Sequence, residues 1–378
     1  MSLRICYFGT YRAEYARNQI LIEGLRRAGM QVVECHIPLW QGVEDRVQTA
    51  SGGWMRPAFW WRVVRTYGQL LDKYRQVGAY DVLVVGYPGH FDVFLARWLA
   101  SLRGKPLVWD VLNSLYLIAT ERGISSRSPL TVRIIRQIER LACRMPDLLI
   151  LDTERFVEWF RETHGIDHER FRLVRIGADQ RYFSPVEGKP RLPQDPFRVI
   201  YYGSYIPNHG VEFIVEAAHL LEDEPVAFEM VGDGPEHAKA WALERKYRLK
   251  KLTFIDWLPR QELSEHIASA DLVLGVFGVT LQNTLTNNNK IYEGFAMRKP
   301  VVSARTPALP ESLVHKEHLY LCERGDAGSL AEAIRSLQAD PDLCQRLADN
   351  GYRLFCEQFD LEHIGQEFAR HLEELLVG

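Results

Sequence analysis

The sequence predicts an α/β protein built from two successive parallel-sheet units. Three observations carry that expectation. A chain of 378 residues is too long for one ordinary core. Short apolar runs alternate with amphipathic stretches in both halves, the βαβα order that yields a parallel sheet covered by helices. Between the halves lies a stretch with Pro185, Pro190, Pro193 and Pro196 and no apolar period, after which the pattern restarts.

The elements follow in order. In the first half, strands are expected at Arg4–Phe8, Gln31–His36, Asp81–Gly86, Pro106–Val111, Leu148–Leu151 and Phe171–Arg175. Helices are expected between them at Gln19–Ala28, Trp60–Arg75, Asp92–Leu102, Leu130–Cys143 and Glu154–Thr163. In the second half, strands are expected at Arg198–Tyr202, Ala227–Val231, Leu252–Asp256, Leu272–Gly275 and Pro300–Ser303. The helices there are Gly210–Leu221, Glu236–Lys246, Gln261–Ser269, Lys290–Met297, Leu330–Ala339 and Asp342–Phe359. A last helix, Asp360–Val377, is expected to return across the first domain. The resulting domains are 1–184, a linker at 185–196, 197–359, and the returning segment 360–378. Two such units in tandem imply a cleft between them, the usual ligand position in this architecture.

Composition narrows the class. Apolar residues at 47% and charged residues at 25% are ordinary for a globular protein. No apolar run approaches the ~20 residues of a membrane span, and the N-terminus enters a strand without a secretory pattern. The six cysteines are scattered with no C-x-x-C pair, so reduced core thiols are expected rather than zinc or redox chemistry. A cytoplasmic protein is the expectation. Residues 1–181 hold 26 Lys+Arg against 19 Asp+Glu, although the whole chain carries −3. The first half should therefore face something anionic, but no basic module with interleaved aromatics points to nucleic acid. Arg133, Arg136, Arg140 and Arg144 recur at helical spacing, with Arg127 nearby. Trp54, Trp60 and Trp61 lie among Arg56, Arg62 and Arg65. A basic amphipathic surface of this kind fits peripheral contact with an anionic membrane at the inner face of the cell membrane. A solvated face over a Trp-rich core is the plainer reading for the tryptophans.

Several strand ends carry candidate chemistry. Lys290 and Glu293 share one face of the first turn of a helix that Asn289 opens. A helix start gathers free N–H groups and partial positive charge, to which Lys290 adds a full one, a combination suited to a diphosphate. Glu293 can accept two hydroxyls, as a ribose offers. A capped surface helix with a solvated pair accounts for the segment equally. Gly9-Thr10 follows the first strand and could present N–H groups to an anion, or form an ordinary βα turn. Gly203-Ser204 through His209-Gly210 repeats that design, with a hydroxyl at Ser204 and a donor or cation at His209. Gly232-Asp233-Gly234 permits close backbone approach, and the strand end at Trp257 could read a base edge. Asp110 and Asn113 leave a strand for a loop, and His90 sits in a similar turn. These three are acceptor-side candidates, with Asp110 able to steady a cationic transition state or simply to cap a turn.

Together these segments resemble the family 4 (group 1) retaining glycosyltransferases. Val174–Asp179 with Tyr182–Pro185, Gly203…His209-Gly210, Val231–Pro235, Ala270–Leu274, Asn289–Val302 and Pro310-Glu311 follow that family's motifs in order. The resemblance implies a GT-B fold: two Rossmann-like domains with parallel sheets facing across a cleft. It implies a nucleotide-diphosphate sugar as donor substrate, no cofactor and no metal. Gly9, Thr10, Gly203, Ser204, His209, Gly232, Asp233, Gly234, Trp257, Asn289, Lys290 and Glu293 would bind the donor. Asp110, Lys290 and Glu293 would be the catalytic set, with His90, Asp110 and Asn113 toward a glycan, lipid-linked or small-molecule acceptor. The chain departs from the pattern at three places. Leu285 stands where many members have Glu, Ser204 where many have Arg, and His209 where many have Lys, so Lys290 becomes the main cation. Arg305, after the last strand of the motif, is an unusual cation on the donor side. A nucleotide-sugar epimerase, a phosphorylase, and a non-catalytic sugar-nucleotide-binding subunit are the alternatives.

Overall fold

The structure is a computed structural model that describes residues 2–39, 57–124, 128–186 and 195–377. Two six-stranded parallel sheets form, each in its own compact unit.

The first sheet has the order β2-β1-β3-β4-β5-β6. Its strands are β1 (Arg4–Gly9), β2 (Gln31–His36), β3 (Val82–Val85), β4 (Leu107–Asp110), β5 (Leu148–Leu151) and β6 (Phe171–Leu173). β3, β4 and β5 are buried along their whole length, which is why they read as continuous apolar runs. The helices are α1 (Ala16–Arg27), α2 (Pro57–Arg75), α3 (Asp92–Leu102), α4 (Leu115–Glu121), α5 (Pro129–Ala142), α6 (Glu154–His164) and, from the far end of the chain, α13 (Leu361–Val377). Leu21 and Leu25 of α1 join Ile364, Phe368 and Leu372 of α13 in the core over Tyr7 and Val84. The two helices meet at glycines. A Cβ on Gly365 would fall 1.9 Å from the Gly24 carbonyl oxygen, so the backbones touch where no side chain fits. α4 was not expected, because seven residues are too few to show a helical period.

On α2, α3 and α5 large apolar side chains remain outside the core. Trp60 and Trp61 are 53% and 71% exposed, and Trp98, Leu130 and Ile134 also stand in solvent. The reading of a Trp-rich core is therefore corrected for Trp60 and Trp61. They belong to the outer face of α2, whose buried residues are Thr66, Leu70 and Tyr74. Arg133, Arg136, Arg140 and Arg144 are exposed on or just after α5. Trp54, Arg56 and Arg127 lie outside the described residues.

The second sheet has the order β12-β11-β10-β7-β8-β9. Its strands are β7 (Phe197–Tyr202), β8 (Val226–Val231), β9 (Leu252–Ile255), β10 (Leu272–Leu274), β11 (Val301–Ala304) and β12 (Tyr320–Cys322). β12 was not expected, since a three-residue edge strand shows no alternation. The helices are α7 (Val211–Leu220), α8 (His237–Tyr247), α9 (Arg260–Ser269), α10 (Asn289–Ala296), α11 (Ala327–Ala339) and α12 (Pro341–Gln358). Asp326 and Asp340 cap α11 and α12 by accepting from Ser329 and Leu343 N–H, and Pro341 opens α12. Tyr201, Met230, Leu274 and Val302 form this core with Ile214, Ile334 and Leu337.

The chain passes from the first unit to the second between Arg175 and Ile176, and back between Asp360 and Leu361. The sequence places the first boundary later, with domain one ending at 184 and a linker at 185–196. Residues 176–186 belong to the second unit because they pack on it: Asn289 Nδ2 lies 3.4 Å from the Gly177 carbonyl, and the Arg260 guanidinium sits 5.3 Å from the Tyr182 ring centroid. Residues 187–194 lie outside the described residues.

Candidate active site

The site in the second unit is assembled at the carboxyl ends of neighbouring strands. β7, β8 and β9 lie side by side and parallel, so Gly203, Gly232 and Trp257 follow them at one edge of the sheet. Gly203 and Gly232 have φ of 125° and 128°, a region that favours glycine. Space demands glycine as well. A Cβ on Gly232 would stand 2.1 Å from the Gly203 carbonyl oxygen, and a Cβ on Gly203 would stand 3.1 Å from Cε and Nζ of Lys290. The loops after β7 and β8 are joined where Tyr205 N–H donates to the Asp233 carbonyl at 2.9 Å. Lys290 therefore lays its ammonium against the bare backbone of Gly203.

Lys290 and Glu293 are 7% and 8% exposed, so the reading of a solvated surface pair does not hold. The Lys290 ammonium sits 5.2 Å from the Tyr201 ring centroid, within cation–π range. Burial lowers its pKa to about 8, against the opposing pull of Glu293. Burial raises the Glu293 carboxyl, while Lys290 and Arg260 pull it back down. Asn288, at the N-cap of α10, makes no side-chain bond to the helix, which leaves the first-turn N–H groups without a side-chain cap. The Tyr202 hydroxyl is buried and makes no aligned hydrogen bond among the described residues. Burial, then the Glu293 charge, pushes its pKa well up, so it remains a donor at any working pH.

The other donor-side candidates divide. Ser204 is half-buried, and its carbonyl accepts from the Tyr201 hydroxyl at 3.1 Å. His209 turns Nδ1 to that carbonyl at 2.5 Å and to the Tyr201 hydroxyl at 2.8 Å. Burial, then the nearby Lys290 charge, pushes His209 well below its ordinary range. It is neutral at pH 7, so of the two alternatives the sequence left open, donor or cation, the structure favours the donor. Asp233 is exposed, accepting from Gly234 N–H at 2.7 Å and lying 3.0 Å from His237 Nδ1. Trp257 is 64% exposed. Tyr201, Tyr202 and Arg260 are additions that sequence reasoning missed. The tyrosines read as ordinary strand residues, and nothing in the sequence links Arg260 to Glu293.

In the first unit the outcome differs. Thr10 N–H donates to Asp92 Oδ2 at 2.7 Å, the Thr10 hydroxyl lies 3.0 Å from both carboxylate oxygens, and the Tyr67 hydroxyl donates to Oδ1 at 2.6 Å. A Cβ on Gly9 would lie 2.7 Å from the same carboxylate. The Thr10 N–H and hydroxyl are thus occupied by the protein's own Asp92, where the sequence led one to expect a diphosphate. Asp110 is fully buried and paired with Arg17, whose Nη2 lies 3.0 Å from Oδ1 and whose Nη1 donates to the Arg175 carbonyl at 2.8 Å. It is a structural ion pair rather than a group facing an acceptor. His90 is buried with Nε2 3.1 Å from Glu139 Oε1. Glu139 also accepts from Leu115 N–H at 2.6 Å and the Ser114 hydroxyl at 2.6 Å, and lies 3.0 Å from His164 Nε2. Burial alone would raise its carboxyl, but His164 and His90 bring it down to about 2. His90 is thus a structural partner of this carboxylate. Asn113 is half-buried just after Leu112, which holds a left-handed φ of 53° at the end of β4. Among the described residues, no group of three or more His, Cys, Asp or Glu side chains is placed to hold a metal ion.

Comparison with known proteins meets this geometry. Residues 10–177 match the glycosyl transferase 4-like domain, and residues 196–340 match the glycosyl transferases group 1 model. The chain is 23% identical over 297 residues to alpha-D-kanosaminyltransferase of Streptomyces kanamyceticus, covering 75% of this chain and 74% of that one. It is 28% identical over 162 residues to the lipopolysaccharide core biosynthesis glycosyltransferase LpsD of Rhizobium meliloti, covering 43% of this chain and 45% of that one. The solved structure of Anabaena HepE in complex with UDP-glucose superposes with a TM-score of 0.68 at 17% identity, covering 98% of this chain and all (100%) of that one. Both units are matched in sequence and the doubly wound architecture is shared, so the chain belongs to the group 1, or family 4, glycosyltransferases with the GT-B fold.

Proposed function

We propose that the protein is a retaining glycosyltransferase that moves a sugar from a nucleoside-diphosphate sugar to an acceptor hydroxyl without a metal ion. The observation that carries this reading is the buried Lys290–Glu293 pair at the uncapped start of α10, against the bare backbone of Gly203. Glu293 takes the two ribose hydroxyls. Lys290 and the first N–H groups of α10 take the diphosphate. As the sugar–phosphate bond breaks, negative charge grows on the leaving diphosphate, and the same groups are already aimed at it. The acceptor attacks from the face the diphosphate leaves, and a phosphate oxygen takes its proton. That route keeps the anomeric configuration and asks for no protein base, so the burial of Asp110 and His90 costs the chemistry nothing. Gly232, Asp233, Gly234, Trp257 and Asn289 complete the donor side, while the first unit takes the acceptor near Asn113.

The relative in lipopolysaccharide core synthesis supports a glycan or lipid-linked acceptor in cell-envelope or polysaccharide synthesis. Exposed Trp60, Trp61 and Trp98, with the arginines on and after α5, support a peripheral seat on the anionic inner face of the cell membrane. No helix among the described residues is long and apolar enough to cross a membrane. The test is a thermal-shift screen against UDP-, GDP-, ADP- and TDP-sugars. One class should raise the melting temperature, and Glu293→Ala should abolish both that rise and transfer. No response to any of the four, or the same response in the variant, overturns the proposal.

A further inference from the structure

Large apolar side chains that stay in solvent are spread unevenly over the first unit. α2, α3 and α5 each run back toward the start of the next strand, β3, β4 and β5, so their first turns lie toward the carboxyl edge of the sheet. Hydrogen bonds pin the level. Asp92, at the start of α3, accepts from Thr10 N–H, just past β1, and from the Tyr67 hydroxyl on α2. Among the described residues of α2, the exposed large apolar side chains Trp60, Trp61 and Val64 all precede Tyr67. Trp61 is six residues earlier, about 9 Å along the axis toward the helix start. Phe91 and Phe94 are exposed where α3 begins, and Leu130 and Ile134 where α5 begins.

Charge is divided the same way. From Pro57 to Leu71, Gly86 to Ala96 and Ser128 to Ile138 the single acidic residue is the buried Asp92, while Arg62, Arg65, Arg133 and Arg136 fall in those stretches. Trp98 and Leu102 carry an apolar stripe on toward the far edge. That end, however, also exposes Asp72, Asp81 and Asp147, in pairs with Arg75, Lys105 and Arg97. Basic and apolar surface therefore coincide at the carboxyl edge, a combination that suits an anionic bilayer. A second copy of the chain would set arginine against arginine there. The same edge holds the crevice of this architecture. In the order β2-β1-β3-β4 the chain turns one way after β1 and the other way after β3, so the loops after these two strands part. Phe91 ends the second of those loops. We infer that the carboxyl edge of the first unit, not the flat outer face of its helices, seats on the bilayer, and that the acceptor is lipid-linked, its tail staying in the membrane while its hydroxyl-bearing headgroup enters between the two loops. The inference rests on the transferase reading above and narrows its acceptor to the lipid-linked class.

Vesicle binding and a transfer assay test it. The chain should sediment with vesicles of phosphatidylglycerol and phosphatidylcholine. Trp61→Ser with Phe91→Ser should weaken that binding about tenfold or more, whereas Trp98→Ser with Leu102→Ser should leave it within about threefold, with the melting temperature kept in both. Brominated phosphatidylcholine in the vesicles should quench tryptophan fluorescence, and Trp60→Phe with Trp61→Phe should remove more of that quenching than Trp98→Phe. The donor found by thermal shift, radiolabelled in its sugar, should pass label to native membranes in a form that chloroform–methanol extracts. Failure to bind vesicles, or a loss in the second pair equal to or greater than in the first, overturns the edge-on seat. Label in a water-soluble product, or none transferred from a donor that binds, overturns the lipid-linked acceptor. Failure to bind any donor overturns the transferase reading, while the vesicle measurements still decide the seat.

Discussion

Replacing Lys290 by Met removes the ammonium but keeps an unbranched stem to pack over Tyr201. An ammonium–phosphate hydrogen bond in a buried site contributes about 1.5–3 kcal/mol, so nucleoside-diphosphate affinity should fall roughly 10- to 150-fold at pH 7. The pH profile is the sharper readout. Lys290 is lowered to about 8, so below that pH the unliganded site is charged and ready. Above it, affinity in the wild type should fall by about tenfold per pH unit until the lysine of the complex also titrates. Lys290→Met should show no such fall between pH 7 and 9. Stability should move the opposite way. The folded pKa lies below the unfolded one, so the unfolded chain holds the extra proton between about 8 and 10.5. The burial penalty is therefore present in full below pH 8 and is relieved as pH rises through that window. Unliganded wild type should gain up to about 3 kcal/mol over the variant across it. Calorimetry with the diphosphate and urea melts at each pH measure both effects. Equal affinities, or parallel pH profiles for the two proteins, would refute the assignment of Lys290 to the diphosphate.

Glu139 gives a prediction at the acid end. Its carboxyl is lowered from 4.5 to about 2, so its contribution is complete above pH 4.5 and is lost as pH falls toward 2. Glu139→Gln should cost about 3 kcal/mol at pH 7 by urea melts and much less near pH 2, and a pH-independent cost would contradict the pairing with His90 and His164. If the proposed membrane seat is right, the protein should sediment with phosphatidylglycerol-containing vesicles at low salt and be released as salt rises. Trp60→Ala with Trp61→Ala should weaken that binding, and no sedimentation at low salt would remove the membrane seat from the proposal.

What the sequence made legible was local. The α3 helix and the β2 and β5 strands were bounded correctly from period and apolar runs alone. The Lys290–Glu293 pair was visible as two residues three apart at a helix start. The missed features depend on partners distant along the chain. Gly9-Thr10 reads as an anion site, but the carboxyl that Thr10 binds is that of Asp92, 82 residues away. Asp110 looks free until Arg17, 93 residues earlier, is folded onto it. His209 could be donor or cation in sequence, and burial with Lys290 nearby holds it firmly neutral. Trp60 and Trp61 were assigned inward on residue type, whereas the inner face of α2 is made by Thr66, Leu70 and Tyr74. α4 and β12 escaped because periodicity needs more residues than they have.

The contact of Gly24 with Gly365 bears on how the molecule is made and divided. Arg175 N–H donates to Glu367 at 3.0 Å and His371 Nε2 lies 3.0 Å from the Leu173 carbonyl, so the final helix is stitched to both ends of the first unit. That unit stays open on one side until the ribosome has delivered residue 361 and beyond, whereas residues 176–360 form an uninterrupted stretch that can finish folding earlier. A fragment ending at Arg175 should expose the apolar stripe of α1 and aggregate, and a deletion after Asp360 should harm the amino-terminal half rather than the half it adjoins.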